Sequence, residues 1–255
     1  MYRRLDDLLD GADADRRSPQ VRPFVRLGAW IGADRDGNPN VTADITRAAA
    51  GIGAEHVLLG LERVAERIGR GLTLDSRTTP PTGELDSLWN HQRRLSAEVT
   101  ADIAARSPDE PYRRVVLMIA ERIAATRRRN ADLAYPGPGE LLADLQVVQS
   151  SLAQVGEQRK AYGEIQELIW QVQTFGFHLA ELEVRQHAKV HDQTLAEIDA
   201  GGELSQMSTE VLETFRAIAA IQHRYGQQAA QRYIVSFTTS ATDLANVFRL
   251  AVQAL

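Results

Sequence analysis

The chain of 255 residues is 44% hydrophobic, carries a formal net charge of −5 and contains no cysteine. This composition is enough for a sizeable buried core, and it excludes disulfides, thiolate metal sites and a cysteine nucleophile. The acidic balance argues against nucleic-acid binding, and the charged N-terminus and the lack of a long apolar run argue against a signal peptide and a membrane span, so we expect a globular cytoplasmic protein.

The first unusual segment is GAWIGADRDGNPNVT, Gly28 to Thr42, which follows an apolar stretch with strand character near residues 23–30. Gly32, Gly37 and Pro39 are typical turn residues. Short polar side chains in such a turn hydrogen-bond to the backbone and to neighbouring strand ends. The polar residues of this turn are Asp34, Arg35, Asp36 and Asn38.

Helical periodicity dominates the middle of the chain, where apolar residues recur at intervals of three and four. The segments are 57–68, 85–103, 115–123, 141–155, 162–172 and 211–218. Before the third segment, Ser107-Pro108-Asp109-Glu110 has the form of a helix start, with Ser107 as the cap and Pro108 as the first helical residue. The glycines and prolines of YPGPGE, Tyr135 to Glu140, interrupt the helical pattern.

Two later segments, near residues 177–185 and 232–238, also have strand character and precede polar residues. Alternation in the first would place Leu182 and Val184 on one face, and Glu181, Glu183 and Arg185 on the other. In the second, a β-branched and aromatic run leads to Ser240-x-x-Asp243, which has the spacing of a capping box. The order strand, polar turn, helix therefore occurs three times.

This recurrence is typical of a βα barrel, in which the loops at the C-terminal ends of parallel strands hold the substrate. Trp30, Asp34, Arg35, Arg185 and Ser240 would then lie at one rim. Three strands cannot close a barrel. We therefore expect a mainly α fold with a few short parallel strands, a partial segment of a TIM-like barrel with large helical insertions, in which residues 1–255 form a single unit.

The same segments resemble one enzyme family. GAWIGADRDGNPNVTADITR, Gly28 to Arg47, is similar to the segment of phosphoenolpyruvate carboxylases that reads Ser-Trp-Met-Gly-Gly-Asp-Arg-Asp-Gly-Asn-Pro-Asn-Val-Thr. LEVRQHAKVH, Leu182 to His191, resembles the family's Leu-Asp-Ile-Arg-Gln-Glu-Ser strand end. EPYRRVVLMIAERIAATR, Glu110 to Arg127, and YIVSFTTSATDLANV resemble its Glu-Pro-Tyr-Arg helix and its Tyr-Ile-Ile-Ser-Met strand. The order is that of the family, and the resemblance covers nearly the whole chain.

The resemblance implies an enzyme that carboxylates phosphoenolpyruvate with bicarbonate to give oxaloacetate and phosphate, using Mg²⁺ or Mn²⁺. It also implies a homotetramer under allosteric control. Arg185 matches the family arginine that contacts the substrate phosphate, and Trp30 matches the tryptophan that lines the carbon dioxide pocket. Asp34, Arg35, Asp36 and Asn38 are expected to support these residues from the surrounding turn.

Three family motifs are absent: the Ala-His-Pro-Thr-Glu segment with the essential histidine, the Tyr-Ser-Asp-Ser segment with a metal-ligating aspartate, and the His-Gly-Arg-Gly-Gly loop. The chain opens on a helical pattern and stops within an apolar one. We therefore expect a central segment of the enzyme that binds no metal and is inactive alone. The alternatives are a non-catalytic helical anion-binding or assembly module, and a self-sufficient lyase that uses one of the six histidines.

Two further groups of residues require interpretation. His187 and His191 have the spacing of a metal-binding helical pair, but no carboxylate motif accompanies them, so we expect a pair on a helix surface. Arg113 or Arg114 would belong to an anion-binding activator site at a subunit contact if the resemblance extends to that feature of some family members.

Overall fold

A computed structural model describes all residues from 1 to 255 and is mainly helical with three short parallel strands, as predicted. The helices are α1 Tyr2–Asp10, α2 Ala43–Gly71, α3 Gly83–Leu95, α4 Ala97–Arg106, α5 Pro111–Arg128, α6 Pro138–Gln154, α7 Gln158–Lys160, α8 Gln166–Phe175, α9 Ala188–Ala200, α10 Gln206–Tyr225 and α11 Ala241–Ala254. The strands are β1 Gly28–Ala29, β2 Glu181–His187 and β3 Arg232–Ser236.

The chain forms two compact units that are interleaved in sequence. Unit 1 contains Met1–Val25 and Glu55–Phe177, and unit 2 contains Arg26–Ala54 and His178–Leu255. The expectation of one structural unit over residues 1–255 stays a prediction, because compactness alone does not decide whether two parts of a chain fold independently.

Unit 1 is built around α5 and α6, whose apolar faces supply much of its core. In α5, Val116 and Ile119 are fully buried, and in α6 the same holds for Leu141 and Leu145. Helix α3 packs against both. A buried hydrogen bond of 2.9 Å between the hydroxyls of Tyr112 and Ser151 joins α5 to α6. The periodic segments predicted from the sequence thus form the packed helices of this unit, except that the segment 85–103, predicted as one helix, is divided into α3 and α4 at Ser96, whose backbone is extended.

The predicted start of α5 is wrong. The helix begins at Pro111 with Glu110 as its cap, and Ser107 is instead the residue that ends α4. Both prolines suit a first helical position, but only Pro111 is followed without interruption by the apolar stripe. The Glu110 carboxylate lies 2.6 Å from the Arg113 guanidinium, an ion pair across the first turn.

Between α7 and α8 the helical path is broken in a π-type turn, where Gly163 has non-helical backbone angles. Such a break leaves carbonyl groups without helical partners. Arg3 of α1 satisfies them, because its Nη2 donates to the carbonyls of Tyr162 and Gly163. Arg3 also pairs with the fully buried Asp6 at 3.0 Å. The first helix is therefore held to a segment far along the chain.

Unit 2 contains a parallel sheet in the order β1-β2-β3, with Gly28 opposite Glu181 and Arg185 opposite Ile234. Helices α9, α10 and α11 pack together around an apolar cluster. The cluster contains Leu195, Val211, Leu212, Phe215, Leu250 and Ala254. Ser240 and Asp243 form the predicted capping box at the start of α11.

All three strands are shorter than the sequence suggests, and the third, predicted near residues 232–238, ends at Ser236 because Phe237 has a left-handed backbone with φ 56°. Only Gly28–Ala29 of the stretch near residues 23–30 pairs with a neighbour. In the second stretch the strand starts at Glu181, because Leu179 adopts a left-handed backbone conformation with φ 68° that a strand cannot contain. The relation to a TIM-like barrel stays a prediction. None of the helices combines the length and the apolar character that a membrane span requires.

A matched pair of leucines in unit 1 tests the core. Leu145→Ala, at a fully buried position, should lower the free energy of unfolding by about 2–5 kcal/mol, because it removes buried methyl groups and leaves a cavity. Leu8→Ala, at a position that is 82% exposed, should change it by less than about 0.5 kcal/mol. Urea unfolding followed by circular dichroism measures both. Equal effects would contradict the assigned core.

Candidate functional site

Arg185 lies near the C-terminal end of the central strand β2, where the turn after β1 continues the sheet. Its backbone N–H donates to the Ala33 carbonyl at 3.0 Å, and its carbonyl accepts from the Arg35 N–H at 3.0 Å. Asp34 is thereby paired in parallel with Arg185. The two segments that carry the predicted site residues are joined by main-chain hydrogen bonds, which fix the side chains that they present.

The Arg185 guanidinium is held by two carboxylates of this turn. Its Nη2 donates to Asp36 at 2.9 Å, and its Nη1 lies 3.8 Å from Asp34. The Nε of Arg185 is buried and has no hydrogen-bond partner. The donors of this guanidinium are therefore not all satisfied within the chain, and an arginine can offer two parallel donors to a phosphate.

The turn is stabilised by its own polar side chains. Asp34 accepts from the N–H of Asp36 at 3.1 Å, and Asn38 accepts from the N–H of Asn40 at 3.1 Å. Gly32 has φ 72°, and a Cβ at this position would lie 2.7 Å from the Cβ of Ala49. Both the backbone conformation and the close approach require glycine. The turn therefore presents Asp34 and Asp36 in defined positions.

Arg35 points away from solvent and anchors the turn to α2. Only 6% of its surface is exposed. Its Nη1 donates to the Ala33 carbonyl at 3.1 Å and its Nη2 to the Thr46 hydroxyl at 2.5 Å, and that hydroxyl donates to the Gly32 carbonyl at 2.6 Å. Burial lowers the pKa of Arg35, against weaker opposing effects of Tyr233 and Glu210. The Nε of Arg35 is buried without a partner.

Trp30 is 58% exposed, and its indole is oriented by Glu183, which the sequence did not predict as its partner. Its indole N–H donates to the Glu183 carboxylate at 2.5 Å. Glu183 also lies 3.4 Å from Arg232 of β3. The alternation of β2 places Glu183 on the same face as Arg185, and Glu183 also lies within the segment LEVRQ that resembles the family's strand end.

Glu181, at the start of β2, is buried among cations. Its carboxylate lies 3.0 Å from Arg26 and 3.1 Å from Arg232, and it accepts from Gln231 at 3.1 Å. Burial raises the pKa of Glu181, but the hydrogen bonds and the two positive charges outweigh it, so the pKa lies below its usual value. This carboxylate therefore ties β2 to residues beside both neighbouring strands.

The interpretation of His187 and His191 as a pair on a helix surface is wrong. His187 ends β2 and caps α9, where its Nδ1 accepts from the Lys189 N–H at 3.1 Å. His191 is completely buried, and its Nε2 lies 2.8 Å from the Tyr233 hydroxyl. Burial lowers the pKa of His191 to about 4, with weaker effects of Asp192, His187 and Asp243. The two rings thus belong to different environments.

The other predicted residues are separate from this group. Asn38 is exposed in the turn, and Ser240 hydrogen-bonds through its N–H to Asp243 of its own helix at 2.9 Å. In unit 1, Arg113 pairs with Glu110, and the Arg114 guanidinium lies 5.3 Å from the centre of the Trp89 ring. The residues that the structure brings together are thus Asp34, Asp36 and Arg185.

The donor set does not fit a divalent metal. No group of three or more histidine or carboxylate side chains is arranged to hold an ion. The carboxylates of Asp34 and Asp36, which the turn brings together, both face the Arg185 cation. Because Mg²⁺ and Mn²⁺ need several free oxygen ligands, no step is assigned to a metal held by these residues.

Comparison with known proteins gives a consistent result. The sequence model of the family "Phosphoenolpyruvate carboxylase" matches residues 1–202 and 199–254. Curated proteins named phosphoenolpyruvate carboxylase are similar as well: the protein of Nitrosomonas europaea is 30% identical over 100% of this chain, and that of Roseiflexus castenholzii is 32% identical over 92% of it. The aligned parts are 31% and 30% of those two proteins. The chain thus spans about a third of the length of these relatives.

The buried His191 predicts how stability depends on pH. Its pKa of about 4 in the folded protein lies below the value of about 6.5 for an unfolded histidine, so the unfolded state binds the proton more readily. The contribution of neutral His191 to the free energy of unfolding is therefore fully present above pH ~6.5. It decreases as the pH falls toward 4, by a loss on the order of 3 kcal/mol.

Urea unfolding of the wild type and of His191→Gln between pH 7 and pH 4 isolates this contribution, because carboxylate titration is common to both proteins. The variant should lose less stability over this range. His223→Gln, at an exposed position, is the control and should follow the wild type. Parallel pH profiles for wild type and His191→Gln would contradict the prediction.

Proposed function

The chain belongs to the phosphoenolpyruvate carboxylase family, and from this premise we propose that it forms the part of such an enzyme that supplies a phosphate-binding arginine and a wall of the carbon dioxide pocket. The proposed reaction is the carboxylation of phosphoenolpyruvate by bicarbonate to oxaloacetate and phosphate, an anaplerotic fixation of carbon. The observation that carries the proposal is the position of Arg185, held by Asp34 and Asp36 with its Nε edge unpartnered.

The chemistry places two demands on these residues. Bicarbonate takes the phosphoryl group to give carboxyphosphate and the enolate of pyruvate. Carboxyphosphate then splits into carbon dioxide and phosphate, and the enolate carbon attacks the carbon dioxide to give oxaloacetate. Negative charge is dispersed over several oxygens throughout, so it must be met by cations that are already in position. Arg185 suits this role, because its guanidinium is permanently charged and its direction is fixed by Asp36 before substrate arrives.

The second demand is a water-free environment for the enolate and carbon dioxide, which both react with water or protons. We assign the pocket wall to Trp30, whose indole is oriented by Glu183. A large apolar surface retains an uncharged molecule and excludes water. Because Trp30 is 58% exposed in this chain, the proposal requires other parts of the enzyme to cover it.

The arrangement of the three strands supports the proposal that this chain is part of a larger βα barrel. The strands are parallel and neighbouring in the order β1-β2-β3, and Arg185 and the turn after β1 lie at the C-terminal end, the end at which βα barrels bind substrates. Within this chain β1 and β3 each have an unpaired edge. We propose that the remaining strands, the proton-transferring histidine and the Mg²⁺ or Mn²⁺ ligands come from other parts of a cytoplasmic, allosteric, homotetrameric enzyme.

A chimaera tests the role of Arg185. Residues 1–255 would replace the matching third of the Nitrosomonas europaea relative, and kcat/KM for phosphoenolpyruvate would be measured in the presence of bicarbonate. Arg185→Gln should lower kcat/KM by about 100-fold or more, because it removes a charged contact to the transferred group.

The control variant is Arg249→Gln in the same chimaera. Arg249 is exposed and pairs only with Asp199, which is exposed too, so its loss should change kcat/KM by less than about twofold. If Arg185→Gln is as active as Arg249→Gln, Arg185 does not contact the phosphate. That result would favour the alternative of a non-catalytic anion-binding or assembly module.

A second experiment concerns the chain alone. The purified 255-residue chain should release no oxaloacetate or phosphate from phosphoenolpyruvate with bicarbonate and Mg²⁺. The reason is that, under this proposal, the base, the metal ligands and further arginines come from other parts of the enzyme. Bicarbonate-dependent turnover that disappears in Arg185→Ala would refute the proposal of an incomplete site. It would support a self-sufficient lyase.

A further inference from the structure

One row of side chains crosses the sheet of unit 2 and consists of Trp30, Glu183 and Arg232. We call it the Trp30 row. Glu183, on the central strand, is the register partner of Arg232 in β3. On the other side of β2, Ala29 is paired with Leu182. The residues that follow this pair, Trp30 and Glu183, are therefore neighbours as well, and side chains in such facing positions are in contact.

The Glu183 carboxylate is held on three sides. Its Oε2 accepts from the indole N–H of Trp30 at 2.5 Å, and its Oε1 lies 3.4 Å from Nη1 of Arg232. A Cβ at Gly28 would lie 3.4 Å from the same Oε1, so the carboxylate lies against the main chain of β1. Only 22% of the Glu183 side chain is exposed. Both carboxylate oxygens are thus engaged, and the sheet defines their positions.

The position of Glu183 does not depend on Trp30 alone. Arg232 also lies 3.1 Å from the buried carboxylate of Glu181, and Glu181 lies 3.0 Å from Arg26. Positive and negative charges therefore alternate, so that Arg232 stands between two carboxylates that would otherwise repel each other. This network anchors Glu183 from the side of β3, opposite to Trp30.

The Trp30 ring, by contrast, has little burial to hold it in place. It is 58% exposed, and exposed side chains change rotamer within picoseconds to nanoseconds. The indole N–H is the only polar group of the ring, and it donates to a carboxylate. Such a charge-assisted hydrogen bond is about twice as strong as one between neutral groups. The direction of the ring therefore depends mainly on Glu183.

We propose that Glu183 is a positioning residue for the carboxylation: it holds the Trp30 indole in the orientation in which the ring closes the carbon dioxide pocket. This role rests on the function proposed above for Trp30 as a wall of that pocket. Glu183 takes part in no chemical step, because its carboxylate is engaged by Trp30 and Arg232. Without this carboxylate the ring moves, and carbon dioxide leaves more often before the enolate attacks it.

The escape of carbon dioxide changes the products of the reaction. Carboxyphosphate has by then split into carbon dioxide and phosphate, so phosphate is released whether or not the carbon dioxide is captured. An enolate that has lost its carbon dioxide takes a proton from water at its carbon and becomes pyruvate. The ratio of oxaloacetate to pyruvate therefore reports the closure of the pocket, whereas the rate of phosphate release reports the earlier phosphoryl transfer.

The first test observes Trp30 in the chain alone. The ¹H–¹⁵N spectrum contains three indole N–H signals, from Trp30, Trp89 and Trp170, and Trp30→Phe identifies the first. Glu183→Gln keeps the shape of the side chain but not its charge. It should move the Trp30 signal upfield and speed its exchange with water by about fivefold or more. The Trp170 indole donates to the Val21 carbonyl at 3.2 Å, and its unchanged signal shows that the fold is intact.

The second test uses the chimaera with the Nitrosomonas europaea relative. Glu183→Gln should lower the ratio of oxaloacetate to pyruvate by about fivefold or more, while the rate of phosphate release changes by less than about twofold. Trp30→Phe should lower the ratio as well. The double variant should be no worse than Trp30→Phe, because Glu183 then has no indole N–H to hold.

Glu213→Gln is the matched control in both tests. Glu213 lies in α10 of the same unit and pairs with two arginines, Arg47 at 3.3 Å and Arg216 at 2.6 Å, but forms no hydrogen bond with a tryptophan. Its replacement removes the same charge from an ion-paired carboxylate. It should leave the three indole signals and the product ratio unchanged.

The results that would overturn the proposal differ from those that would overturn the proposed function. An unchanged Trp30 signal in Glu183→Gln refutes the positioning role whatever the chimaera does. An unchanged product ratio in Glu183→Gln, in a chimaera that Arg185→Gln inactivates, refutes this role and leaves the proposed function intact. Additive losses in the double variant show that Glu183 acts other than through Trp30. If Arg185→Gln and Glu183→Gln both behave like the unchanged chimaera, the proposed function itself is wrong.

Discussion

The two backbone hydrogen bonds between Arg185 and the turn after β1 determine the geometry of the whole site. They join Ala33 and Arg35 to the end of β2, and they place Asp34 directly beside Arg185. The ion pair to Asp36 follows from this register, because a shift by one residue would move the carboxylates to the other face of the sheet. The requirement for glycine at residue 32 and the burial of Arg35 serve the same end, since both hold the turn against α2.

Much of the fold could be predicted from the sequence, because most helices carry a regular apolar stripe. The errors arose where two local signals compete. Ser107 and Pro111 both suit a helix start, and only packing decides that Ser107 ends α4 while Pro111 begins α5. Strand lengths were overestimated for two reasons. The β propensity of a residue does not show whether a neighbouring strand is there to pair with it. It also does not show a left-handed backbone such as that of Leu179.

The site was predictable to a different degree for each residue. The place of Arg185 at a strand end follows from alternation and from the polar turn, and the structure agrees with that placement. The partners of Arg185 and Trp30 do not follow, because Asp34, Asp36 and Glu183 are all plausible neighbours until the register is known. The spacing of His187 and His191 was misleading, since it suggests one helix face although His187 still belongs to the strand.

The interleaving of the two units has a consequence for synthesis on the ribosome. Residues 26–54 of unit 2 emerge early, but their sheet partner β2 and the rest of the unit follow only after residues 55–177. At ordinary translation speeds this interval lasts roughly ten seconds. During that time the turn and β1 cannot pair with β2, and the carbonyls of Tyr162 and Gly163 that accept from Arg3 have not yet been made. Neither unit can therefore be completed until the segments that follow residue 54 have been made.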